Sequence, residues 1–341
     1  MPASSTSSGA PPPFFIVGND RSGTTMLRLV LDRGGVAIPP ESMFLVDFAR
    51  VRRSGNLADP DAAAAFMRRV WDHPRVRLWG IGGDPPAVPP GLTHEEAYRF
   101  AVEAPFRAYA RANGKERWAD KTPLYLAHLD ELDAVWPEAR FVVLVRDGRD
   151  VALSLLGVPF GPNNIWAAAR FWAHGIDLGT EAEHRFPGRV LSVRYEDVVA
   201  DPQTGMKRVC SFVELDFDTE MLAIERTDSS KVLENQAGWF TNVWAGINQS
   251  AVGKWRERMS PRQRRVFDQV AGAQLERLGY ERPDAARGEG PRYRPGRVET
   301  LAYRSHDAAM RGVNFVRLRL VQERGREVGY VLKRKLARAG H

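Results

Sequence analysis

Apolar positions along the chain follow two different periods. Continuous apolar runs occur at "FFIVG" (14–18), "GVAI" (35–38), "FVVLV" (141–145) and "RVLSVRY" (189–195), each opening onto a loop. Between them lie segments such as "TMLRLVLDR" and "VALSLL", whose apolar residues recur at helical spacing. Strands that are apolar on both faces and alternate with helices predict a parallel sheet covered on both sides. The expected fold class is therefore α/β, with a P-loop-like central parallel sheet flanked by helices. Residues 43–120 lack clean strand patterns and are helical in composition, broken by "GGDPPAVPPG". Residues 226–250 carry Trp239, Phe240 and Trp244 among polar residues. Both stretches read as inserts suited to substrate binding.

The ends of the chain differ from its body. Residues 1–13, "MPASSTSSGAPPP", lack a basic start and an apolar core, so they predict a flexible tail and not a signal peptide. The main domain is expected over 14–283. Residues 284–341 are expected to form a Gly/Pro/Arg linker, "RGEGPRYRPGR", and a basic helical extension from about Val313. The formal charge of +7 is concentrated there, since residues 287–341 hold 14 Lys/Arg against 5 Asp/Glu. A near-neutral body argues against a nucleic-acid partner. Leu318, Leu320, Val321, Val328 and Val331 form an apolar stripe on the extension, which suits packing on the body, a homodimer or peripheral contact with an anionic membrane. The single cysteine, Cys210, permits no internal disulfide and fits a cytoplasmic setting.

Candidate chemistry begins in "GNDRSGTTM" (18–26). Against the phosphate-loop template G-x-x-x-x-G-K-[ST], Gly18, Gly23 and Thr25 keep their places, but Thr24 stands where the lysine belongs. A strand delivering such a loop into a helix points backbone N–H groups and the helix dipole at one spot, which favours an anion. Arg21 adds a permanent cation, and Ser22, Thr24 and Thr25 add hydroxyls around Gly23 and Met26. An ordinary Gly/Ser turn is the plainer reading, although such a turn needs neither a second glycine nor two threonines. The nearest acidic group for a metal, Asp147, follows Arg146, which repels a cation. No metal is expected.

"LVRDGRDVALSLL" repeats the plan. Arg146 closes a strand, Asp147 suits an N-cap, and Ser154 lies on the next helix, so Arg146 and Ser154 can converge on one phosphate. A solvated turn with local ion pairs is the alternative.

These two motifs in order resemble the family of sulfotransferases that use 3′-phosphoadenosine 5′-phosphosulfate. The resemblance implies that the first loop grips the 5′-phosphosulfate and that Arg146 and Ser154 grip the 3′-phosphate. "VRYEDVVADP" (193–202) is similar to a segment that would place Tyr195 near the adenine. "VGKWRERMS" (252–260) resembles a late basic segment over the 3′-phosphate, nominating Lys254, Trp255 and Arg256. Arg21 replaces the lysine of the soluble animal enzymes, as in tyrosylprotein sulfotransferases and many bacterial members.

The implied reaction is metal-independent, in-line transfer of a sulfuryl group to a hydroxyl of a small molecule or glycan, with a glycan, glycolipid or secondary metabolite as acceptor. Arg21 would neutralise the leaving phosphate. In "ADKTPLYL" Pro123 stands where the soluble animal enzymes place a catalytic His, so the usual base is missing. Glu41 of "AIPPESMFL" takes that role by resemblance to tyrosylprotein sulfotransferases; its plainer reading is a helix N-terminal charge. Lys121 is nominated to contact the sulfonate or acceptor, against a surface lysine paired with Asp120. Trp71, Trp79, Trp239 and Trp244 are candidates for stacking on an acceptor ring or for core packing. A P-loop nucleotide kinase-like phosphotransferase and a non-catalytic nucleotide-binding module are the competing readings.

Overall fold

The computed structural model describes residues 11–159, 161–226, 246–282 and 296–321. Strand β1 (Phe14–Gly18) leads through the first loop into helix α1 (Thr24–Arg33), and strand β2 (Val36–Ala37) precedes α2 (Phe44–Ser54), α3 (Pro60–Trp71), α4 (Pro74–Arg77) and α5 (His94–Ala112). Two short strands, β3 (Arg117–Trp118) and β4 (Asp120–Lys121), come before α6 (Leu129–Asp133) and strand β5 (Arg140–Val145). Then follow α7 (Gly148–Leu156), α8 (Ile165–Arg185), strand β6 (Val190–Arg194), α9 (Tyr195–Ala200) and α10 (Pro202–Phe212). Helices α11 (Trp255–Arg258), α12 (Pro261–Arg277) and α13 (Arg297–Val321) complete the described chain.

These elements form two compact units. One comprises the described parts of Met1–Gly18, Gly23–Leu144 and Glu181–Asn248, the other those of Asn19–Ser22, Val145–Thr180 and Gln249–His341. The first unit contains a four-stranded sheet in the order β4-β1-β5-β6. β1 pairs in parallel with β4 and with β5, Phe15 standing opposite Asp120 on one side and Phe141 on the other. Every residue of β1 is buried, as its unbroken apolar run requires of a strand covered on both faces. Gly18 ends it with φ 141°, and a side chain there would lie 2.5 Å from the Leu144 carbonyl oxygen. Only a glycine lets β1 leave the sheet this close to β5.

Two of the expected strands are not buried central strands. "GVAI" contributes β2, which pairs with β3 in a separate two-stranded ladder. "RVLSVRY" contributes β6 at the sheet's edge, where only Val193 is buried. The insert over 43–120 is helical as expected, except at β3 and β4. α5 starts from a capping box between Thr93 and Glu96, and α3 from an Asp59 cap with Pro60 in its first turn. The insert shares an aromatic core with the sheet. Phe106 stacks on Trp118 at 4.5 Å between centroids, and Phe15 packs on Trp118 and Trp136. Trp79 is buried against Phe44 and Phe106, so its ring serves the core, while the Trp71 indole donates to the Gly83 carbonyl.

In the second unit α13 begins at Arg297, ahead of the expected Val313, because the sequence carries no Gly or Pro between Arg297 and Met310 to stop a helix. Asn163 and Asn164 bond to Asp307 and to the Tyr303 carbonyl on its first turns. Trp239, Phe240, Trp244, Val328 and Val331 lie outside the described residues. No described helix is long and apolar enough to cross a membrane.

Candidate active site

The first loop starts in the second unit. The Asn19 side-chain amide donates to the Trp172 carbonyl at 3.1 Å, and the Trp172 indole donates to the Arg146 carbonyl at 3.0 Å. Arg21 takes the left-handed conformation, φ 72°, which few residues other than glycine adopt. Its Nε donates to Ser154 Oγ at 2.9 Å, so Arg21 and Ser154, distant in sequence, meet. Arg146 closes the group: its guanidinium donates to the Arg21 carbonyl at 3.0 Å and to the Ala251 carbonyl at 2.5 Å. Ser22 is fully buried, and its hydroxyl meets no hydrogen-bond partner among the described residues.

The start of α7 organises the late basic segment. Asp147 caps the helix through the Arg149 N–H at 2.9 Å and also holds the Arg149 guanidinium at 2.7 Å. That guanidinium lies 3.5 Å from the centre of the Trp255 ring. Asp150 accepts the Gly253 N–H at 2.7 Å and the Trp255 N–H at 2.9 Å. Burial pushes the Asp150 pKa up, against the opposing pull of Arg146 and those two N–H groups. The structure thus fixes Trp255 in the interior and leaves Lys254 half-buried. Arg256 is exposed and paired with Glu281, its Nε 2.9 Å from the carboxylate. Asp150 and the Arg149–Trp255 contact were not legible in sequence, since Gly253 and Trp255 lie about a hundred positions away.

The first unit holds the second group. Gly23 precedes α1 with φ 98°, and a side chain there would lie 2.5 Å from the Tyr195 ring, which therefore packs directly on the loop backbone. The first turn of α1 has neither a side-chain cap nor an acidic residue, so its N–H groups and dipole stay available. Thr24, Thr25 and Met26 are buried there. Lys121 is buried and does not pair with Asp120 as a surface lysine would. Its ammonium lies 2.6 Å from Glu41 Oε1 and 3.5 Å from Thr25 Oγ1. Glu41 precedes α2, which starts only at Phe44, and its carboxylate is engaged by Lys121.

One carboxyl beside this pair escaped the sequence reading. Asp120 is fully buried, and neither of its oxygens has a hydrogen-bond partner among the described residues. Burial pushes its pKa up to about 7, although the neighbouring Thr122 and Ser42 hydroxyls and the Lys121 ammonium favour the charged form. In sequence it reads only as the neighbour of a lysine.

One unit thus holds the Arg21, Arg146 and Ser154 group, and the other holds the Lys121–Glu41 pair beside the first turn of α1. Over residues 12–219 the sequence matches the sulfotransferase family, and over residues 168–279 the sulfotransferase domain. It is 24% identical over 278 residues to protein-tyrosine sulfotransferase A of Caenorhabditis elegans, covering 79% of this chain and 67% of that one. It is 25% identical over 325 residues to omega-hydroxy-beta-dihydromenaquinone-9 sulfotransferase Stf3 of Mycobacterium bovis, covering 82% of this chain and 78% of that one. Among solved structures, the sulfotransferase domain from the Synechococcus PCC 7002 olefin synthase shares the fold with a TM-score of 0.54 at 22% identity, over 82% of this chain and 100% of that one. With the first match spanning more than half of its length, the chain belongs to the sulfotransferase family.

Proposed function

We propose that the protein transfers a sulfuryl group from 3′-phosphoadenosine 5′-phosphosulfate to a hydroxyl of a small-molecule or glycan acceptor, with Glu41 as base and Lys121 and Arg21 stabilising the transferring group. The observation that carries this assignment is the Lys121–Glu41 pair, 2.6 Å apart beside Thr25 on the uncapped first turn of α1. A helix start with bare N–H groups suits an anionic group, and a carboxylate next to it suits removal of an acceptor proton. The residues fit the donor's other charges as well. Ser22 Oγ and Trp255 Nε1 are buried donors without partners among the described residues, in the same unit as Arg21, Arg146 and Ser154.

In this reading Glu41 takes the acceptor O–H proton as that oxygen bonds to sulfur. The bond from sulfur to the bridging oxygen breaks, and its electron pair leaves with the phosphate. Arg21 and Lys121 offset the charge building on the bridging oxygen and the sulfonate. Serving a reaction with little covalent chemistry for the protein, these groups act by position and charge. Arg146 and Ser154 hold the 3′-phosphate, Tyr195 and Trp255 flank the nucleotide, and Lys254 and Arg256 add charge over it. Arg256 must leave Glu281 to do so. The step needs no metal.

The named relatives point to a hydroxyl acceptor, one through tyrosine and the other through an omega-hydroxy group. The experiment is a mass-spectrometric screen for sulfonate gain in glycan, lipid and metabolite mixtures given enzyme and donor. Transfer by the wild type that Glu41→Gln and Arg21→Ala abolish is the expected result. Full transfer by both variants would overturn the residue assignment.

A further inference from the structure

The Lys121–Glu41 pair rests on a buried layer of polar groups that the chemistry just described does not use. Ser42 and Thr122 each follow one member of the pair in sequence, and both are at most 1% exposed. The Ser42 backbone N–H donates to Thr122 Oγ1 at 3.1 Å. Ser42 Oγ lies 2.8 Å from the Tyr125 hydroxyl, which accepts the Leu45 N–H at 3.1 Å. Ser42 Oγ also lies 3.5 Å from Thr122 Oγ1.

The backbone gives an independent sign. Met43, directly after Ser42, sits in the left-handed region with φ 55°. A side chain there costs of order 1–3 kcal/mol and persists only where the surroundings over-determine the conformation. The hydrogen bonds of Ser42 and Leu45 fall on either side of it, so the clamp holds a strained turn that a relaxed chain would abandon.

We propose that Ser42, Thr122 and Tyr125 are positioning residues, a buried hydroxyl clamp that ties residues 41–42 to residues 121–122 and so aims the Glu41 carboxylate beside the Lys121 ammonium. The clamp rests on the role given to Glu41 above. Its effect is on the chemical step, where a misplacement of about 1 Å costs up to roughly a hundredfold. It leaves nucleotide binding alone, because Arg146 and Ser154 are not among its members.

The test is turnover of the ³⁵S-labelled donor, read as label passed to water and to a panel of phenols and alcohols. Binding of adenosine 3′,5′-bisphosphate is titrated alongside, and thermal unfolding checks each variant's fold. Tyr125→Phe and Thr122→Val should each lower kcat about tenfold while the bisphosphate Kd stays within about twofold. Thr122→Ser, which keeps the hydroxyl, should recover most of the rate. In a Glu41→Gln background Tyr125→Phe should cost nothing further, the non-additivity expected of groups acting as one. Wild-type kcat in both variants, or the same loss with and without Glu41, would overturn the clamp while leaving the sulfotransferase reading standing. A wild type that passes label to neither water nor any acceptor would instead overturn the proposed function, and the clamp with it. Should Tyr125→Phe fail to fold, the Thr122→Val and Thr122→Ser pair decides the matter.

Discussion

The two strand-to-helix junctions look alike in sequence and differ in what fills their helix ends. At the β1–α1 junction Gly23 stands before the helix, no side chain caps it and no acidic residue enters its first turn. At the β5–α7 junction Asp147 caps the helix and Asp150 occupies its first turn. The first junction leaves its dipole and N–H groups for an external anion. The second carries the Asp147 carboxylate on its Arg149 N–H and the Asp150 carboxylate in its first turn, so the phosphate proposed there depends on side chains, chiefly Arg146 and Ser154. In the proposed function, the first junction therefore stabilises charge as it develops and the second grips. Among the described residues, only the first stands next to the Lys121–Glu41 pair.

The sharpest way to break this contrast is to disarm the first junction. Glu41→Gln removes the proposed base and should lower kcat by about 10²–10⁴ with the bisphosphate Kd almost unchanged. A single-turnover measurement with the labelled donor reads the chemical step directly. If that step slowed no more than in Arg146→Ala, the two junctions would not differ in role.

Asp120 offers a stability test of the same region. Its pKa is raised from 3.8 to about 7 in the folded state, so folding favours the protonated form. The stability this contributes is fully present below about pH 4 and is lost as pH rises through about 7. Asp120→Asn, which cannot ionise, should gain on the wild type as pH rises from about 5 to 8.5. Over that range the gain has a ceiling of about 3 kcal/mol, about two pH units below the folded value at about 1.36 kcal/mol each, and it levels off above about pH 7. Chemical denaturation at several pH values checks it, and a pH-independent difference would show that the carboxyl is not held neutral.

Next in size is Gly23→Ala. The added carbon meets the Tyr195 ring at 2.5 Å and must be borne at φ 98°. A loss of about 2 kcal/mol in stability is expected, together with weaker bisphosphate binding. Denaturant unfolding and calorimetric titration read the two. The smallest effect is that of Arg146→Ala, which should weaken bisphosphate binding about tenfold or more through loss of a charged hydrogen-bond donor, while kcat at saturating donor falls much less. The reverse split would make the second junction the catalytic one.

Much of this contrast could be read in sequence, and the parts that could not share a cause. β1 runs over the residues its apolar pattern indicates, and α1 starts at Thr24 where the glycine spacing puts it. The Asp147 cap also follows from local sequence. β4 is two residues long and polar, so no periodicity marks it; only pairing with β1 makes Asp120 and Lys121 a strand. The helical extension was expected to start too late because its first turns were assigned to the linker side of the boundary. Ser42, Tyr125 and Asp120 carry no motif of their own.

By itself the sequence determined the α/β architecture, the two strand-to-helix loops and the residue types in them, because each depends on neighbours within one turn or one strand. Only the tertiary structure decided that Lys121 faces Glu41, that Arg21 meets Ser154 and that Asp150 holds the segment around Trp255. Those pairs are separated by 80, 133 and 105 positions. Such contacts arise from sheet order and helix packing, which set distances that local spacing does not encode. The buried carboxyl of Asp120 makes the same point, since its perturbed acidity comes from the absence of water around it. Solvent exclusion belongs to the folded chain and to no stretch of it alone.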